Sequence, residues 1–153
     1  GMLQCFRADG SLSGVLDSAF FDGWSGLIDI RLSGNNLTSL DPQIFSGLSH
    51  LQTLEFYSNR LTSFDPQTFS GLSRLRSLVL HNNQLTSLDP QTFSGLSSLQ
   101  DLRLYNNQLT SIDNQTFSGL TSLRLLWILS GNDNLNRSQV ATWGLDESVV
   151  AVS

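Results

Sequence analysis

Residues 75–98 read LRSLVLHNNQLTSLDPQTFSGLSS, and residues 99–122 read LQDLRLYNNQLTSIDNQTFSGLTS. The two stretches align without a gap, and the same 24-residue phrase fills residues 51–74 and 27–50. A fixed period of this length marks a solenoid, in which each copy is one coil that cannot bury its apolar side alone. A weaker copy occupies 3–26, keeping Phe6, Ala8, Leu16, Phe21 and Gly23, and a partial copy runs over 123–135.

Each recurring position has a physical task. In the xLxLx segment alternate side chains point to opposite faces of a strand, so Leu54 and Phe56, Leu78 and Leu80, and Leu102 and Leu104 face inward. Stacked copies then make a parallel sheet. Asn35, Asn59, Asn83 and Asn107 follow the strands, where an amide that donates and accepts at once satisfies backbone groups left open by a turn. Phe21, Phe45, Phe69, Phe93 and Phe117 are expected to stack as a spine on the opposite side. Asp41, Asp65, Asp89 and Asp113 are read as turn caps, the first three followed by Pro; Asn114 takes the place of the fourth Pro.

The shared pattern LxxLxLxxNxLxxLxPxxFxxL resembles the typical leucine-rich repeat of extracellular receptors: Toll-like receptors, Slit-type proteins and the variable lymphocyte receptors of jawless vertebrates. The resemblance spans Leu3 to Leu135. It implies an α/β solenoid, a horseshoe with a concave parallel sheet of about six strands and an irregular or short-helical convex side. It further implies an extracellular setting and immune recognition of microbial surface components. Extracellular members usually close both ends with cysteine-rich modules, and this chain departs from them in having Cys5 as its sole cysteine.

Composition narrows the function. Of 153 residues, 39% are hydrophobic and 14% charged, which suits one globular domain with a core. The net charge is −5, and all eight basic side chains are Arg, so there is no basic footprint for nucleic acid and no lysine chemistry. The longest apolar run, Leu125 to Leu129, is far too short to insert into a membrane. A single Cys excludes an internal disulfide framework and a cysteine-rich zinc site. Gly1-Met2 reads as a cloning remnant, so the absent leader carries no message about compartment.

One domain is expected over 1–153: a degenerate repeat at 3–26, four repeats at 27–122, a partial repeat at 123–135 and a cap at 136–153. Ser11 stands where the first ladder Asn belongs. Gly131 is expected to break the ladder at the back. The tail, with Val140, Trp143, Leu145, Val149, Val150 and Val152, is expected to fold over the last coil, with a short helix near 138–143.

The outward positions of the strands fall into three columns: Cys5, Asp29, Thr53, Ser77, Asp101, Leu125; then Arg7, Arg31, Glu55, Val79, Arg103, Trp127; then Asp9, Ser33, Tyr57, His81, Tyr105, Leu129. They vary between copies whose scaffold is nearly invariant, so the fold leaves them free for recognition or for idle drift. The expected ligand-binding residues are Asp29, Arg31, Glu55, Tyr57, His81, Asp101, Arg103 and Tyr105. Tyrosines favour interfaces, and His81 is placed to titrate near neutral pH. An acidic element of Asp29, Glu55 and Asp101 points to a polar ligand with cationic or hydroxyl-rich groups, a microbial surface polymer or a protein. An Arg31–Glu55 pair and an Arg103–Trp127 cation–π contact are expected. Leu125, Trp127 and Leu129 either form an exposed interface, which would support a homodimer or receptor-fragment scaffold, or lie beneath the returning tail.

An enzyme is not expected. Cys5 and His81 are three strand steps apart, roughly 14 Å, and Glu55 and Asp101 two steps, about 10 Å. No HExxH, P-loop, GxGxxG or GxSxG occurs. No cofactor or metal is expected. Asn36, Asn114 and Asn136 head N-x-[ST] triplets and would be glycosylation candidates in a secreted protein.

Overall fold

A computed structural model describes residues 4–151. Leu3 and Val152, assigned above to the first copy and the cap, lie outside the described residues. Six three-residue strands line up in chain order: β1 (Cys5–Arg7), β3 (Asp29–Arg31), β5 (Thr53–Glu55), β6 (Ser77–Val79), β7 (Asp101–Arg103) and β8 (Leu125–Trp127). All neighbours are parallel, and each residue pairs with the one 24 positions on, as in Cys5↔Asp29 and Leu54↔Leu78. The chain is thus a solenoid with a six-stranded parallel sheet and very little helix. A second, two-stranded sheet of β2 (Ser13–Leu16) and β4 (Asn36–Leu40) ties the first two coils together.

The inward residues Leu54, Phe56, Leu78, Leu80, Leu102 and Leu104 are fully buried. Burying one such side chain is worth about 1.5–3 kcal/mol. On the far side no helix forms among the described residues; consecutive turns carry the chain round, with Ile44 N–H bonding Asp41 O and Leu48 N–H bonding Phe45 O at 3.0 Å. Asp oxygens cap these turns: Gln43, Gln67, Gln91 and Gln115 each donate N–H to Asp41, Asp65, Asp89 and Asp113 at 2.8 Å. Asp17 does the same for Ala19 in the first coil. The phenylalanines stack as expected, 6.2–6.3 Å between successive centroids from Phe21 to Phe117.

The asparagine ladder is doubly bonded. Asn59 Nδ2 donates to Leu32 O and Phe56 O, and Asn83 Nδ2 to Phe56 O and Leu80 O. Each inner carbonyl therefore receives two successive asparagines, while each Oδ1 accepts an N–H from the preceding coil, Asn59 from Leu37 and Asn83 from Leu61. The expected break at Gly131 is corrected: Asn132 Oδ1 accepts Leu109 N–H and Nδ2 donates to Leu104 O and Ile128 O, so the ladder continues one residue late. The extra residue is absorbed before it, where Asn106 N–H bonds Ser130 O. The turn there needs left-handed backbone. Gly131 supplies it with φ 69°, as Gly34 does in the second coil, whereas Ser58, Asn82 and Asn106 adopt it in the three coils between.

The back end is closed. A 3-10 helix, Arg137–Trp143, starts on an Asn136 capping box with Gln139 and ends at Gly144. It buries Val140 and sets Trp143 edge-on against Phe117 at 6.0 Å, terminating the spine. Beyond it Val150 bridges Leu126 in parallel, and Ala151 N–H bonds Leu126 O. At the front Phe6, Phe20, Phe21 and Trp24 make an aromatic cluster.

Candidate functional site

The strand register places the columns side by side as expected: Asp29↔Thr53↔Ser77↔Asp101 and Arg31↔Glu55↔Val79↔Arg103↔Trp127. Residues two apart on a strand share a face, and this brings Asp29 to Arg31 and Asp101 to Arg103. Arg31 forks onto Asp29, with Nε–Oδ1 3.0 Å and Nη2–Oδ2 2.9 Å, and reaches Glu55 at 3.2 Å. Arg103 forks onto Asp101 at 3.1 and 3.0 Å. These bonds raise both guanidinium pKa values, Asp29 acting on Arg31 and Asp101 on Arg103. The Arg31–Glu55 pair is present, but the acidic element is not bare: Asp29, Glu55 and Asp101 all face an arginine.

In the third column the rings lie parallel. Tyr57 and His81 stack at 4.7 Å and 5°, His81 and Tyr105 at 4.2 Å and 9°. Trp127 leans onto Tyr105 at 4.7 Å and extends the stack to four rings. Strand spacing near 4.8 Å matches ring spacing, so the sheet sets the rings at stacking distance and their side-chain torsions make them parallel. Inner ring faces are consumed, and the stack offers edges and polar tips to its surroundings. The His81 ring is half-buried and its Nδ1 has no partner. Burial, with Arg103 adding to it, pushes its pKa below the ordinary 6.5, so the ring is neutral at pH 7. The Arg103 guanidinium sits 6.0 Å from the Trp127 ring, at the outer limit of a cation–π contact.

These side chains line a hollow of about 450 Å³, with Arg31, Glu55 and Tyr57 on one side and His81, Arg103 and Tyr105 on the other. A smaller one of about 270 Å³ lies past Tyr57, against Arg7, Asp9 and Ser33. Those three were in the columns but not among the expected binding residues; their signal was position alone.

Leu125 and Trp127 are half-buried on the last strand. The outward placement of Leu129 is corrected: the extra residue before Asn132 shifts the register, and Leu129 packs against the core. The tail lies along the sheet edge through Val150. Asn36, Asn114 and Asn136 are all exposed, and Asn136 Oδ1 is engaged in capping. Cys5 is an exposed thiol on the edge strand, three strands from the coil of His81. No group of three or more His, Cys, Asp or Glu side chains able to hold a metal occurs among the described residues.

The leucine-rich repeat family model matches residues 9–54, 25–85 and 73–133. The chain belongs to the leucine-rich repeat family. Leucine-rich repeat structures align closely with it. The leucine-rich repeat domain of APL1B has a TM-score of 0.76 at 24% identity over 83% of this chain and 38% of that one. Drosophila Toll, in its complex with Spatzle, has 0.78 at 30% over 81% and 16%. TLR13, in its complex with ssRNA13, has 0.77 at 29% over 84% and 18%. The chain thus spans well under half of each of these proteins. No curated protein sequence matches it. As a leucine-rich repeat protein it has the fold of a non-catalytic protein-binding module, and no helix among the described residues is long and apolar enough to cross a membrane.

Proposed function

We propose that this chain is an extracellular recognition module, acting as one unit over residues 1–153, that binds microbial surface components on its concave sheet in immune defence. The observation that carries this is the four-ring stack of Tyr57, His81, Tyr105 and Trp127 set between two arginine–carboxylate pairs over an open hollow. Aromatic tips with fixed charged forks make a preorganised polar surface, and the repeat does not require any of these residues. Two of the similar structures support the immune setting: Toll with Spatzle, a molecular hub in Drosophila development and innate immunity, and TLR13 with ssRNA13.

The test is binding of the protein to whole microbes and purified glycans, with Glu55→Ala/Asp101→Ala as the comparison. Capture should fall while the melting temperature changes little, since half-exposed pairs contribute only about 0–1 kcal/mol. Undiminished capture by the double variant refutes the reading. A dimerising scaffold is the second reading, and the half-buried apolar side chains of Leu125 and Trp127 on the last strand favour it. Light scattering of Trp127→Asp decides it: a concentration-dependent dimer that this change abolishes supports the scaffold.

A further inference from the structure

The ring stack stops abruptly. Its next berth, one strand beyond Tyr57, belongs to Ser33, and the one after that to Asp9. Strand bonding carries the register through this point, since Gly34 N–H bonds Tyr57 O at 3.0 Å. A small residue therefore stands where a fifth ring would lie, and the hollow of about 270 Å³ fills the place. Tyr57 closes it on one side with its outer face, the face that His81 does not cover. The Ser33 hydroxyl in its lining is covered and has no hydrogen-bond partner. A serine χ1 rotation is enough to turn such a group toward a ligand.

We propose that this gap is a subsite for one hexopyranose ring of a saccharide, laid flat against Tyr57 above Ser33. The proposal rests on the concave-face reading given above. The C–H face of a pyranose carries partial positive charge and suits the negative face of the Tyr57 ring. The rest of the wall is polar. Arg7 makes no ion pair among the described residues, Asp9 is likewise unpaired, and Arg31 is already held in place by Glu55 and Asp29. Hydroxyls pointing outward from the ring edge satisfy these groups and Ser33. A phenyl or indole side chain would cover the same charges without bonding them, which is costly. The shape selects a flat ring; the charged rim selects one bearing hydroxyls.

Saturation-transfer NMR with methyl β-glucopyranoside, methyl α-mannopyranoside and methyl β-galactopyranoside tests this, with p-cresol as the aromatic comparison. At least one pyranoside should receive saturation from the protein and from Gln91→Ala, a change on the far-side turns. Its affinity should fall about tenfold or more in Tyr57→Ala and in Ser33→Trp, which fills the berth with a fifth ring. Thermal melts of both variants check folding, and Ser33→Trp removes no core contact. Bacterial envelope polysaccharide and N-glycans released from an animal glycoprotein, run in parallel, show which source presents the ring. No saturation of any pyranoside, unchanged affinity in Ser33→Trp, or binding of p-cresol in their place overturns the subsite. Microbe capture separates this from the wider reading. If Ser33→Trp captures as the unaltered protein does while Glu55→Ala/Asp101→Ala does not, the subsite falls alone. If both capture normally, concave recognition falls with it.

Discussion

Replacing Asn83 by Ala removes four bonds, one of them a long contact to His81 O at 3.4 Å, but they are not equivalent. The carbonyls of Phe56 and Leu80 each keep a second asparagine, Asn59 and Asn107 respectively. The N–H of Leu61 keeps nothing, because Asn83 Oδ1 is its acceptor at 3.0 Å in a buried site. The expected cost is that of one orphaned donor, about 1–3 kcal/mol, or a fall in melting temperature of about 2–12 °C for a chain of this size. Asn83→Asp sharpens the argument. Its carboxylate still accepts from Leu61, but the other oxygen faces the Phe56 and Leu80 carbonyls where Nδ2 now donates at 3.0 and 3.1 Å. At neutral pH it should be less stable than Asn83→Ala, and acidification should narrow the gap as the carboxyl gains a proton to donate. Urea titration followed by circular dichroism measures both, and an unchanged slope shows that unfolding stays cooperative. An Asn83→Ala midpoint equal to that of the unaltered protein, or an Asp variant more stable than the Ala one at pH 7, refutes the ladder account.

Trp143→Ala removes a buried ring from the end of the spine and should cost about 3–5 kcal/mol, with fluorescence of Trp127 reporting the loosened last coil; a melting temperature within experimental error of the original would show that the cap is dispensable. His81 is held below pKa 6.5 by burial first and Arg103 second, so the unfolded chain takes up the proton before the folded one. The stability contributed by the neutral ring is whole above about pH 6.5 and is lost as pH falls toward the depressed value. Melting temperature should drop more steeply between about pH 7 and 5 than in His81→Gln, and parallel curves would contradict this. In Gly131→Ala the added Cβ would approach Asn106 Cα to 2.8 Å at a φ of 69°, so the variant should be clearly destabilised while Gly144→Ala, with open space around it, suffers only the backbone strain; equal losses would remove the close approach from the argument.

The repeat made most of the coil legible in advance. Strand register, the phenylalanine spine, the Asp caps and four ladder asparagines all follow from a 24-residue count. What the count missed, it missed where counting fails. Stepping 24 from Asn107 lands on Gly131, and only the backbone shows the extra residue that hands the role to Asn132 and sets Leu129 against the core. The three columns were readable, and with them the Arg31–Glu55 pair. The forks of Arg31 onto Asp29 and Arg103 onto Asp101 are signalled by two-residue spacing along one strand, a different cue from the cross-strand adjacency that pairs Arg31 with Glu55. Ring orientation had no sequence signal: adjacency of Tyr57, His81 and Tyr105 is a matter of register, whereas their parallel stacking depends on side-chain torsions. The empty berth above Ser33 became visible only once the rings beside it were known to lie flat.

The first coil brings no asparagine to the ladder. Ala8 O receives only the side chain of Asn35, and Leu12 N–H depends on the same residue. Farther in, the carbonyls of Leu32, Phe56, Leu80 and Leu104 are each clasped from two sides. Along the ladder the front of the molecule resembles a zipper with one tooth engaged, and the grip there falls to the β2–β4 pairing and the Phe6 cluster instead. A change that breaks that pairing should therefore loosen the first coil beside Leu12, where the later coils would hold by their asparagines alone.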